Sequence, residues 1–298
     1  MLLLQDIFQF SIVALGVYLA DHFGRFLPVS SLSSAFFSAA IVCKMIEGIE
    51  PNLLFVFATI GIVSIFSGFV SSVLSCAFHE GMMMDRLSSS VIVYFVLLGL
   101  AFYFSDNGVV KSPLPISSPL ELRVLYLFML FVLAVVVLLL FERSFVGLKS
   151  RAFSANPQFS RRFGFSEKAT YLPALMIGEA IICFAANMYL LDHGQVEYSF
   201  SFKPILIAIA VAGFMGVIEE RRKYSSLSVL IMIVLLVSFW RFGYQLGYDF
   251  QVSYNSLSDI KYDFANLFMG VCIALTGVLI KLFKRINNAF LLSNVRNS

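Results

Sequence analysis

Apolar runs long enough to cross a bilayer follow one another along this chain, separated by short polar breaks. A spanning helix needs about 20 mostly apolar residues. Runs of that kind lie near residues 3–20, 52–78, 88–104, 122–141, 169–191, 204–218, 226–242 and 264–283. Residues 33–49 form a ninth, weaker segment, short and rich in Ser and Ala, with Lys44 and Glu47 at its far end. It is either a poor span or a broken, cavity-lining helix, which a bilayer tolerates only where protein surrounds it. The pattern predicts an all-α fold: a polytopic transmembrane helix bundle of about eight or nine spans with a short or broken second helix. No low-complexity run or linker sets off a soluble part, so residues 1–298 read as a single membrane domain.

Composition excludes the soluble alternative. The chain is 59% hydrophobic and 13% charged, about half the charge fraction of soluble domains, and that much apolar surface has no place in water. Its 33 Phe against one Trp suit lipid-facing and helix-packing surfaces. Cys43, Cys76, Cys183 and Cys272 all fall inside apolar runs, and no CxxC or CxxH spacing occurs. They read as small buried hydrophobes, with no metal site and no disulfide framework. The first 20 residues have Asp6 as their only charge and lack the basic start of a signal peptide, so they read as a retained first span.

Charge then orients the bundle. A net charge of +3 gives no reason to expect nucleic acid as a partner. With residues 143–168 in the cytoplasm and nine crossings, fifteen of the 21 Lys and Arg fall on the cytoplasmic side and six on the other. The positive-inside rule therefore places the N-terminus outside and the C-terminus in the cytoplasm. If residues 33–49 do not cross, only the N-terminus changes side. The stretches 105–119, rich in Pro and Ser, and 247–263, polar and rich in Tyr, fall outside.

The basic loop contains the sharpest local signal, GLKSRAFSANPQFSRRFG over residues 147–164. Asn156 followed by Pro157 is a helix start, because Asn accepts from free backbone N–H groups and Pro at the first helical position loses no bond. Gly164 is a natural stop, since it tolerates a left-handed backbone. Residues 157–163 should thus be a two-turn helix outside the bilayer, made basic by Arg161 and Arg162, with Phe159 and Phe163 on one edge. Two readings stay open on these residues alone: a docking element for a partner, or an interfacial helix lying on anionic lipid headgroups.

The spacing Gly147-Leu148, Arg151-Ala152, Asn156-Pro157, Gly164 resembles the cytoplasmic coupling segment of ABC-importer permeases of the branched-chain amino acid type. Residues 12–23 are similar to that family's first helix, 31–46 occupy its broken second helix, and 48–68 and 88–103 resemble the next two. The nearest subgroup is that of tryptophan and tyrosine uptake systems. The stretch before the second helix, 27–36, has neither the acidic residue nor the glycine of that subgroup, and the chain has only 18 Gly. The resemblance covers about residues 10–220 and implies a bacterial inner-membrane permease subunit importing a small solute such as an amino acid. It implies a second permease copy or homologue, a cytoplasmic ABC ATPase dimer, and an extracytoplasmic substrate-binding protein or lipoprotein. Gly147, Arg151, Asn156, Pro157, Arg161, Arg162 and Gly164 would couple to the ATPase. The chain itself needs no cofactor, since ATP is bound by the partner subunit.

For the solute path, polar residues inside spans are the candidates. Glu179 is the most conspicuous, as a contact for a substrate amine or a proton or as a structural bond to a neighbouring helix. Ser33, Ser34 and Ser38 on the second segment, and Ser88, Ser89, Ser90 and Tyr94 on the fourth, either line a path or permit close helix packing. Arg241 beside Trp240 reads as a snorkelling span end, His22, His79 and His193 as solvated boundary histidines, and residues 220–223 (ERRK) as a topology anchor. An enzyme is disfavoured: His79-Glu80 is not HExxH, and neither GxSxG nor a Walker motif is present. A secondary transporter should show inverted repeats, and none is evident. A membrane assembly factor that moves no solute is the remaining alternative.

Overall fold

The computed structural model describes residues 2–24, 26–47, 53–105, 108–112, 120–164, 166–197, 226–255, 268 and 271–276. Its helices are α1 (Leu2–His22), α2 (Ser31–Ile46), α3 (Leu53–Gly81), α4 (Arg86–Phe104), α5 (Leu120–Arg143), α6 (Phe145–Ala155), α7 (Pro157–Arg162), α8 (Glu167–His193) and α9 (Ser226–Asn255). Five segments are long and apolar enough to cross a membrane: Phe55–Gly81, Arg86–Phe104, Val124–Arg143, Lys168–His193 and Leu230–Val252. The all-α membrane bundle is therefore the observed class. α1 matches these in length but carries Gln5, Asp6, Gln9 and Asp21, and is not among the five. The run near 204–218, most of 264–283 and the cluster at 220–223 lie outside the described residues.

α8 is the centre of the bundle and packs against α1, α2 and α3. Lipid offers no hydrophobic drive for helices to associate, so close packing must do it, and small residues permit the approach. Gly16 of α1 and Gly178 of α8 face each other, and a Cβ on Gly16 would stand 2.7 Å from the Gly178 carbonyl oxygen. A Cβ on Gly68 of α3 would stand 2.6 Å from the Ala180 nitrogen. Two helices thus meet α8 backbone to backbone within one turn of each other.

α2 is the short second helix expected from the sequence, and it is enclosed. Leu32, Ala35, Phe36, Ala39, Ala40 and Val42 are buried along its length, as are Ser33, Ser34 and Ser38. It packs on α3, α4 and α8, the protein jacket that a short polar helix at bilayer depth requires. Outer faces carry the apolar remainder: Ile62, Ile65, Phe66 and Phe69 on α3, and Leu125, Phe128, Met129 and Leu140 on α5, are all exposed.

One feature is absent from the sequence reading. β1 (Val109–Lys111) pairs antiparallel with β2 (Gln195–Glu197), with Val110 opposite Val196. Both valines are buried with Phe36, Leu97 and Leu190. The expected irregular loops 105–119 and 193–201 therefore contain a short ribbon that closes one end of α2 and α4. Gly194, at φ +71, ends α8 and returns its N–H to the Leu190 carbonyl at 2.9 Å, which aims β2 at β1.

α4 begins on a side-chain cap: the Asp85 carboxylate accepts from the Ser88 N–H at 3.2 Å. The hydroxyl and backbone donors of Ser88 hold the Asp85 carboxyl below its ordinary value of 3.8. A depressed folded value means the cap stabilises fully above the unfolded pKa and is lost as pH falls through the folded one. Asp85→Ala is expected to speed amide exchange at Ser88 and the first turn of α4 at neutral pH. The difference from the parent should vanish once the pH is below the folded Asp85 value.

Candidate functional site

The extramembrane end of the chain is built from α5, α6, α7 and the start of α8. α5 turns into α6 within one residue, because Ser144 accepts from the Gly147 N–H at 3.1 Å as the α6 cap. Gly147 is buried in that corner, where a Cβ would collide with the Phe141 carbonyl oxygen. α6 was not foreseen as a separate helix; its eleven residues hold α7 away from α5. Arg151, expected as a partner-facing residue, instead pairs with Glu142 at 2.9 Å and lies 5.6 Å over the Phe23 ring. It ties α6 to the ends of α5 and α1. Ser150 donates to the Thr170 carbonyl, fastening α6 to the first turn of α8.

α7 has the two-turn form expected from Asn-Pro. Asn156 is extended (φ −150, ψ 93) and its carbonyl accepts the first helical bond from Ser160 N–H at 3.1 Å. Gly164 sits at φ +75, the left-handed stop. Asn156, Arg162, Phe163 and Gly164 are exposed; the expectations for the Pro157 and Arg161 side chains lie outside what is described. The same end holds the close of α3: Glu80 receives the Tyr171 hydroxyl at 3.0 Å and Lys168 at 3.4 Å. His79 is not a free boundary histidine, since its Nδ1 hydrogen-bonds the Met84 carbonyl at 2.6 Å.

Halfway through α8 lies a buried polar cluster. Glu179 is fully buried, and its two carboxyl oxygens accept from Ser30 at 2.8 Å and Ser34 at 2.7 Å. Ser30 in turn receives the Ser90 hydroxyl at 3.2 Å and donates its N–H to Ser90 Oγ at 2.9 Å. Ser71 of α3 adjoins the carboxyl, and Cys183 lies one turn on, 3.7 Å from Ser34. Two turns beyond Glu179, Asn187 donates to Ser38 at 2.8 Å and to Ser64 at 3.0 Å. Glu179, Ser34 and Ser38 are thus gathered by the fold. Ser33 and Ser89 instead bond back to the carbonyls of Ser30 and Arg86 on their own helices, and Tyr94 packs in the hydrophobic core. Sequence reasoning missed Ser30, Ser64, Ser71 and Asn187. The signal was there: serines at 64, 67, 71 and 75 share one helical face of α3.

Several of these groups are unsatisfied. The Ser67, Ser71, Ser72 and Ser75 hydroxyls and Asn187 Oδ1 are buried with no hydrogen-bond partner among the described residues. Each such group costs about 1–3 kcal/mol when shut away from water, so this face of α3 is not the arrangement that packing alone would select.

The opposite end is tied by charge. Asp192 of α8 accepts from Gln5 at 3.3 Å and from Tyr126. Arg241 pairs with Asp6, joining α9 to α1. It is mostly buried, with Tyr244 and Phe10 beneath it, so the snorkelling expectation gives way to an interhelical ion pair. Trp240 is fully buried and donates to Thr276 at 2.9 Å.

A multi-pass bundle with a polar interior, joined to a short extramembrane helix pair, defines a membrane transport permease. The chain matches the family described as branched-chain amino acid transport system, permease component, over residues 2–219, and it belongs to that family. It is a membrane permease subunit of an ATP-binding-cassette transporter, a kind of subunit that works with ATPase and substrate-binding partners. The match is to the family as a whole and selects no subgroup. No curated protein matches the chain in sequence. Among solved structures, PsaBC from Streptococcus pneumoniae in complex with Fab is similar at a TM-score of 0.54 and 13% identity, covering 93% of this chain and 88% of that one. At that identity the likeness speaks for the fold.

Proposed function

We propose that this chain is one of two permease subunits of an inner-membrane importer for a small solute such as an amino acid, and that residues 145–164 are the lever moved by a cytoplasmic ATPase dimer. The second permease is a copy or a homologue, and an extracytoplasmic binding protein or lipoprotein delivers the solute. The N-terminus lies outside and the C-terminus in the cytoplasm, following the distribution of Lys and Arg. The observation that carries the reading is the anchoring of α6. Through Glu142–Arg151 and Ser150–Thr170 it is fixed to both the last turn of α5 and the first turn of α8. A displacement of exposed α7 therefore reaches α8, and twelve residues along α8 it reaches Glu179. An ATPase can shift the bundle between two packings only by binding them unequally, and α7 with Arg161 and Arg162 is the surface on which it does so.

Two variants separate gripping from transmission. Arg161→Glu with Arg162→Glu reverses the charge facing an acidic groove and is expected to cut ATPase co-purification at least about tenfold, which is about 1.4 kcal/mol. Glu142→Ala should leave the ATPase bound but lower the solute moved per ATP hydrolysed, because α6 is then loosened from α5. Normal assembly and normal stoichiometry in both would remove α6 and α7 from the coupling path.

A further inference from the structure

We propose that the polar seam between α3 and α8, centred on Ser71 and Glu179 and running to Asn187, is the stretch of this subunit through which the solute passes, and that it takes a small solute presenting N–H or O–H donors rather than an anion. This rests on the permease reading and goes beyond it by placing the path inside the subunit, along α3, α8 and enclosed α2.

Three observations carry it. First, the buried hydroxyls of α3 behave unlike other helical serines of this chain. Ser33, Ser89 and Ser238 donate to carbonyls of their own helices, which is the ordinary resting state of a serine in a span. Ser67, Ser71, Ser72 and Ser75 do not, and have no partner among the described residues. Second, across the seam on α8, the fully buried Asn187 uses its amide N–H donors on Ser38 and Ser64 and keeps Oδ1 unpartnered. An acceptor fixed in orientation by two donated bonds, and left without a donor of its own, is made for a group that arrives. Third, the two helices meet at Gly68 and Ala180 without an interlocking side chain, so they part without repacking large residues.

The chemistry of the seam selects its ligand. It brings together one carboxyl, one amide oxygen, a row of hydroxyls and the Cys183 thiol, with no basic side chain in the set. Acceptors predominate, so a donor-bearing solute is satisfied there and an anion is not. From Ser64 to Ser75 the row extends roughly 16 Å along the helix, about half the thickness of the hydrocarbon layer, which is the length of a path rather than of a single contact.

Accessibility labelling tests this in the complex with its ATPase, reconstituted in liposomes. Ser71→Cys and Ser67→Cys variants that retain ATP hydrolysis are treated with a cationic or an anionic methanethiosulfonate, nucleotide-free and vanadate-trapped, and labelling is read by peptide mass spectrometry. Val17→Cys, in the apolar core of α1, is the buried reference. We expect at least one of the two seam cysteines to react more than tenfold faster than Cys at 17 in one nucleotide state and to be protected in the other. The cationic reagent should react about tenfold faster than the anionic one, a preference lost with Glu179→Gln. Seam cysteines as inert as the Val17 position in every nucleotide state would overturn the path, and equal rates for the two reagents would overturn the ligand class. Loss of ATPase binding is scored on the same preparations, so a failed path and a failed permease reading give different results.

Discussion

Gly178→Leu is expected to leave almost no monodisperse protein after detergent extraction. The Cβ of any residue at 178 would stand 2.5 Å from the Gly16 carbonyl oxygen and 3.0 Å from the Ala20 Cβ. The first obstacle is backbone, which has no rotamer to yield, so α1 and α8 must separate. Overpacking a tight contact costs about 1–3 kcal/mol when side chains can move. Here an isobutyl group enters a backbone contact, and the loss extends along the whole α1–α8 interface, including Ile182 against Leu15 and Tyr18. Helix association in lipid depends on such packing, so the effect should exceed the usual range for one substitution. Gly61→Leu and Gly99→Leu are the controls, because nothing lies within 4 Å of a Cβ at either site. Fluorescence-detected size exclusion and a thermal melt would read all three. A Gly178→Leu peak as sharp and as heat-resistant as the controls would show that the α1–α8 contact is looser than described.

That contact also shows what a sequence does and does not disclose. Spans were legible because an apolar run of sufficient length has few other uses, and α2 because Ser and Ala in a short run require a protein surround. α7 was legible since Asn-Pro and a left-handed Gly164 are local devices, decided within a few residues. Partners across the bundle were not. Arg241 and Asp6 stand 235 positions apart, and a lone arginine near a Trp carries no mark of which helix will face it. The β1–β2 ribbon joins residues on either side of α5 to α8, and three-residue strands carry too little alternation to stand out in loops. For Glu179 the residue was conspicuous but its surroundings were not: Ser30 and Ser34 reach it from 149 and 145 positions away. Arg151 illustrates the opposite error, in which a basic residue in a basic loop is taken for an outward-facing one although an acidic residue nine positions earlier claims it.

Glu179→Leu is expected to abolish transport, by at least about a hundredfold, while changing stability little. The two effects separate because the carboxyl's structural partners have alternatives. Without it, Ser34 keeps the Ser31 carbonyl at 3.3 Å and Ser30 keeps Ser90 at 3.2 Å, so the hydroxyls are not stranded and the penalty stays near the low end of about 1–3 kcal/mol. Removing a carboxyl from a fully buried site also relieves its desolvation, and well-packed apolar replacements of buried polar groups are often neutral. A purely structural glutamate would therefore give a leucine variant close to the parent in both melting and transport. A glutamate on the solute path gives parent-like melting with transport gone, since a branched alkyl group then occupies the seam beside Ser71. Glu179→Gln is the discriminating partner: it retains an acceptor and the side-chain shape, and should keep the fold while recovering only part of the transport. The readouts are the melting midpoint, ATPase co-purification and solute uptake on the same preparations. Parent-level uptake by the leucine variant would remove Glu179 from the path, and a lowered midpoint matching the lost uptake would assign it to holding α2 against α8.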